Sequence, residues 1–123
     1  MSTIAIAVAV GSFFLLMILS GIWLSRTGRP LNVFISTIHK LISLGAGVFL
    51  LVTIYQQSRL EPLSVTEWIA VVVTGLCFVA MVASGGRLSI DKPAPVAVLR
   101  VHQVVPALTV LSASAALYLL LGG

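Results

Sequence analysis

Two parts of this chain carry the same unit. Arg29-Pro30 is followed after eight residues by His39 and later by Tyr55; Lys92-Pro93 is followed after eight residues by His102 and later by Tyr118. The differences 93 − 30, 102 − 39 and 118 − 55 all equal 63. Two further pairs precede the unit at an offset of 64: Ser20-Gly21 with Ser84-Gly85, and Leu24-Ser25 with Leu88-Ser89. One gap in the connecting loop reconciles the two offsets. A repeat of this kind constrains the fold more than any single motif, because each copy must be one structural unit. The expected unit is a helical hairpin, residues 1–63 and again 64–123. Each copy holds one of the two histidines of the protein.

The medium these hairpins fold in follows from composition. Hydrophobic residues make up 59% of the 123 residues and charged residues 8%, where a water-soluble domain carries about a quarter charged. Mean hydropathy is +1.19. A spanning helix needs about 20 mostly apolar residues, and four stretches qualify, at about 3–24, 33–55, 65–83 and 96–121. The first has no basic segment before its apolar run, so it reads as a retained span and not as a signal peptide. The expected fold is therefore all-α: an integral membrane four-helix bundle, up-down-up-down, built from two parallel hairpin repeats. The net charge of +4 is no nucleic-acid footprint, since the basic residues collect at span edges. Cys77 is the only cysteine and reads as a small buried side chain.

Local signals set the expected ends. Asn32 is placed to cap the second span, and Ser64-x-x-Glu67 reads as a capping box opening the third. Ser84-Gly85-Gly86 is expected to stop the third helix, because glycine accepts a left-handed C-terminal conformation. Trp23 and Trp68 fall where aromatic side chains meet a membrane interface. Six of the seven Lys/Arg (Arg26, Arg29, Lys40, Arg87, Lys92 and Arg100) fall at the same side, with Arg59 opposite. The positive-inside rule makes that side cytoplasmic, in a cell inner membrane, with both termini outside.

An ionisable side chain inside a span is a functional hypothesis by default. His39 lies seven residues past Asn32 and His102 seven past Pro95, each roughly 10 Å into its helix at 1.5 Å per residue. In an up-down-up-down bundle the second and fourth helices lie diagonally across the core. The two imidazoles are then expected to face one another as a bis-imidazole ligand pair. Around His39 the neighbouring positions hold Ser36, Ser43, Ala46 and Gly47; around His102 they hold Thr109, Ala113 and Ala116. Small faces leave room for a flat ligand, and they equally let bare helices pack closely. Pro106, four residues after His102, removes a helix hydrogen bond at the histidine's own carbonyl.

Haem iron is commonly held by histidine, and haem propionates want cations near the interface, which Arg29, Lys40, Arg87, Lys92 and Arg100 supply. Zinc sites call for three or four protein ligands, which this level of the chain lacks. Neither a hydrolase nor a transferase constellation is present, and the Gly/Arg loops have no phosphate-loop frame. The alternative to a cofactor site is a cofactor-free accessory or structural subunit of a larger membrane complex, its small-residue faces serving as packing surfaces.

On His39, His102, the bundle arrangement and the flanking basic residues, the chain resembles a small four-helix membrane b-type cytochrome, similar in outline to the cytochrome b561-like proteins. That resemblance implies one haem b per chain ligated by His39 and His102 near the cytoplasmic face. It further implies electron transfer with a quinol or redox-protein partner, by a chain embedded in the lipid bilayer as a subunit or homodimer. Transport of the small multidrug-resistance kind relies on a glutamate in the first span, and here that span is uncharged.

Overall fold

A computed structural model describes residues 2–28, 30–90 and 92–122. They form four helices, α1 (Thr3–Arg26), α2 (Val33–Leu60), α3 (Val65–Ser89) and α4 (Val96–Leu117), the last followed by a π-helical turn over Tyr118–Gly122. At 24, 28, 25 and 22 residues, all four are long and apolar enough to cross a membrane. The chain divides into two compact units, Met1–Gln57 and Ser58–Gly123.

In the first unit α1 and α2 run antiparallel. Ser20 near the end of α1 meets His39 near the start of α2. Further from the loop, the Phe13 ring lies 5.8 Å from that of Phe49. Gly45 faces Phe13 so closely that a Cβ there would stand 3.2 Å from the ring. The buried residues of α1 are Ile6, Val10, Phe14, Met17 and Ser20, a three-to-four spacing that draws one stripe down one face. On α2 the buried residues are Ile35, Ser36, Ala46, Leu50 and Thr53. In the second unit α3 buries Thr74, Met81 and Ser84, and α4 buries Thr109, Ala113 and Ala116. Positions 46, 50 and 53 of α2 are the repeat equivalents of 109, 113 and 116 of α4. Most outward positions carry exposed Leu, Ile and Val, the surface expected of helices solvated by lipid tails.

The caps form as their residues dictate. Asn32 Oδ1 accepts the Ile35 N–H at 3.0 Å. Ser64 Oγ accepts the Glu67 N–H at 3.2 Å while the Ser64 N–H donates to the Glu67 carboxylate at 2.7 Å, closing the capping box. Trp23 and Trp68 are both exposed.

Several ends differ from the sequence expectation. Helix α3 does not stop near Ala83; it runs through Gly85 and Gly86 to Ser89. With no water in hydrocarbon to receive freed N–H and C=O groups, a glycine's weak helix preference does not end a spanning helix. Helix α1 reaches Arg26 and α2 reaches Leu60, beyond the expected 24 and 55, and α4 passes through Pro106 without a break before its π turn. The connecting loops, 27–32 and 90–95, have six residues each. The C-caps Thr27 and Ile90 each donate a backbone N–H three residues back, and they already differ by 63. The single-residue gap thus falls at the last turn of α1 and not within the loop. Gly28, at φ +74°, then turns the first loop through the left-handed region.

Candidate functional site

Each unit builds the same arrangement around its histidine. In the first, Ser20 Oγ lies 2.9 Å from His39 Nδ1. The next residue, Gly21, lies beneath the ring, and a Cβ there would stand 3.1 Å from His39 Cε1. In the second, Ser84 Oγ lies 2.9 Å from His102 Nδ1, and a Cβ on Gly85 would stand 2.9 Å from His102 Cε1. The Ser-Gly dipeptide therefore has two tasks. Serine supplies a polar partner for one ring nitrogen, and glycine lets the imidazole lie against the neighbouring helix. Both serines are buried and both histidines half-buried. His39 lies six residues after the first residue of α2, and His102 six after the first residue of α4, so each ring occupies the same turn of its own helix.

The serines are tied down in turn. Ser20 Oγ donates to the Met17 carbonyl at 3.0 Å; Ser84 Oγ reaches the Ala80 carbonyl at 2.7 Å and the Met81 carbonyl at 3.2 Å. The backbone of Met81 is also a hydrogen-bond partner of His102. Met17 and Met81 are both buried, and they too stand 64 apart. So do Gly11 and Gly75, and Phe14 and Phe78. Of these identities, Phe14, Met17 and Ser20 lie on the buried stripe of α1 and Met81 and Ser84 on that of α3, whereas Gly11 and Gly75 are exposed.

The other residues singled out from the sequence are placed less uniformly. Ser43 is half-buried, and its hydroxyl donates to the His39 carbonyl at 2.8 Å. Its repeat equivalent is Pro106, also half-buried, which has no N–H to offer the His102 carbonyl. Gly47 is half-buried, while Lys40, Lys92 and Arg100 are exposed. Arg29 lies outside the described residues. Arg87 differs from the other cations. It is half-buried, and its Nη2 donates to the Pro93 carbonyl at 2.9 Å. Its Nη1 is buried with no hydrogen-bond partner among the described residues. It stands three residues beyond Ser84, on the same face of α3. Among the described residues no three or more His, Cys, Asp or Glu gather into a metal-binding group.

The sequence repeat exposed Ser20, Gly21, Ser84 and Gly85, but reading Ser84-Gly85 as helix punctuation missed their part in the site. The signal was the spacing of the offset-64 identities. Residues kept equal at three-to-four intervals mark one helix face, whereas a helix stop would require only the terminal glycine. No family model, curated protein or solved structure matches the chain.

Proposed function

We propose that the chain is a membrane b-type cytochrome that binds one haem b, which His39 and His102 would hold, and serves electron transfer. The observation that carries this reading is the duplicated Ser-Gly-His arrangement. Two copies of a hairpin could diverge freely wherever only packing is at stake, yet both keep an imidazole in the same turn with the same ring nitrogen on a serine. Two histidines suffice for low-spin haem iron, whereas a zinc site would need more donors.

The donor set fits the group in a second respect. A buried guanidinium nitrogen without a partner is costly, and Arg87 Nη1 is such an atom. A carboxylate of a haem edge is the kind of group that satisfies it, through a charge-assisted bond. The Pro93 carbonyl holds the other arm of the same guanidinium and so fixes where Nη1 lies. Lys92 and Arg100 are exposed and act at longer range. A bound haem would supply one-electron ferric/ferrous chemistry, its potential tuned by axial ligands and burial. The residues' own work is to orient the two rings, hold counter-charge and keep water out. In this reading the two units are parallel hairpin repeats of one bundle, with the basic loops cytoplasmic and the termini outside.

The test is a dithionite-reduced minus air-oxidised visible spectrum of the purified protein, with haem and protein quantified. Sharp low-spin b-type bands at one haem per chain are the expected result. One haem per two chains would move the ligand pair to a homodimer. A colourless protein that ignores added hemin would sink the proposal and leave an accessory subunit.

A further inference from the structure

We infer that Ser20 and Ser84 are positioning residues that fix the tautomer of the two histidines, placing the ring proton on Nδ1 and the lone pair on Nε2. A serine hydroxyl has one hydrogen and two acceptor lone pairs. Ser20 Oγ is within bonding distance of two groups, the Met17 carbonyl at 3.0 Å and His39 Nδ1 at 2.9 Å. Only one arrangement makes both contacts hydrogen bonds: the carbonyl can only accept, so the hydroxyl hydrogen goes to Met17. The oxygen then presents a lone pair to the ring, and the contact is a hydrogen bond only if Nδ1 carries a proton. The second unit repeats the logic, with Ser84 donating to the carbonyls one turn back at Ala80 and Met81 and facing His102 Nδ1 at 2.9 Å. In a neutral imidazole a proton on Nδ1 leaves Nε2 as the basic nitrogen.

The magnitude of the effect separates this role from simple helix adhesion. Interhelical hydrogen bonds inside membranes contribute on average about 0.6 kcal/mol, roughly a threefold change in an equilibrium. Partners that hold the second nitrogen of a ligating histidine change metal affinity roughly 10- to 100-fold. A serine that only glued α1 to α2, or α3 to α4, would give the first number. A positioning serine gives the second. The tautomer assignment stands on hydrogen bonds within each unit; only its effect on ligation rests on the haem reading above.

Because the protein has two histidines and no more, the experiment reads both directly. Full-length, haem-free protein with 15N-labelled histidine rings is examined by NMR in membrane mimetic, well above the ordinary histidine pKa of about 6.5. Both rings are expected as the Nδ1–H form. Ser84→Ala mixes the tautomers of His102 and leaves His39 unchanged; Ser20→Ala does the converse; Ser84→Thr, which keeps a hydroxyl, restores the pure form. Hemin titration of the same proteins is expected to show affinity lowered roughly 10- to 100-fold by either alanine and recovered by threonine. An Nε2–H form in the unaltered protein, or tautomers indifferent to the alanines, overturns the inference. Intact Nδ1–H rings that never take up hemin would instead overturn the haem reading and leave the tautomer assignment standing. Hemin affinity unmoved by the alanines would reduce the serines to glue.

Discussion

The two halves agree at the histidine and disagree around it. Ser20, Gly21 and His39 match Ser84, Gly85 and His102 in identity and in geometry. Three residues along the inner helix, however, the first half has Trp23, exposed, where the second has Arg87 with a buried orphan nitrogen. Four residues after the histidine, the first half has Ser43 donating to the histidine carbonyl where the second has Pro106. One position is treated in opposite ways: Ser43 adds a donor to that carbonyl, and Pro106 takes one away. The halves thus share the features that orient an imidazole, while among the described residues the half-buried arginine beside the serine and the proline after the histidine belong to the second half. A duplicated scaffold with one specialised half is the lesson of the comparison.

The largest effect should be symmetric. His39→Ala and His102→Ala are each expected to abolish the low-spin haem spectrum, since an axial ligand missing from either half leaves the same deficit. A spectrum surviving either change would break the equivalence of the halves. The glycines come next and sharpen the comparison. A methyl on Gly85 would meet His102 Cε1 at 2.9 Å and one on Gly21 would meet His39 Cε1 at 3.1 Å. The His102 ring must shift away from Gly85, and the His39 ring must give by a few tenths of an ångström at Gly21, which strains each ring's contact with its serine. Gly85→Ala should lower hemin affinity by roughly tenfold or more, with Gly21→Ala milder, as read by hemin titration.

Arg87→Ala should weaken haem retention several-fold, about 1 kcal/mol, without changing the ligand spectrum. Arg100→Ala, at an exposed cation, should weaken it less, and Trp23→Ala not at all. Dissociation rates into a haem-scavenging protein would measure all three. The smallest effects concern the backbone. Pro106→Ser restores an N–H to the His102 carbonyl and should raise thermal stability in detergent by about 1 kcal/mol. That is below the roughly 3 kcal/mol of a water-exposed helix, because membrane helices find other partners for freed groups. Ser43→Ala should lower stability by about 0.6 kcal/mol. Opposite signs would confirm that the two halves treat this carbonyl in opposite ways.

Much of the fold was legible because its causes are local. Four apolar runs of spanning length need no tertiary information, and Asn32 and the Ser64/Glu67 box cap as their chemistry requires. The small residues expected beside the histidines, Ala46, Thr109, Ala113 and Ala116, are all buried. Of the candidate site, the two histidines and the repeated Ser-Gly pairs were legible, but not that each pair lies against a ring. Ser43 donates to the His39 carbonyl and Pro106 has no N–H for that of His102, while Lys40, Lys92 and Arg100 are exposed and Arg87 is half-buried.

Gly85 marks the limit. In water a Ser-Gly-Gly run followed by arginine ends a helix, and a one-dimensional reading weighs it so. Whether a glycine is there for its torsion angles or for its missing Cβ depends on what lies across from it, which only the packing of α4 on α3 reveals. The sequence alone determined the number of helices, their apolar medium, the repeat and the presence of one histidine per copy. These follow from the water-to-lipid transfer of side chains and from arithmetic on the chain. Only the tertiary structure decided that a serine one helix away takes the imidazole Nδ1, that a glycine makes room for the ring, and that Arg87 has a buried donor without a partner among the described residues. Those outcomes hinge on approach distances of about 3 Å between residues some 20 positions apart, and no residue carries such a distance in its own identity.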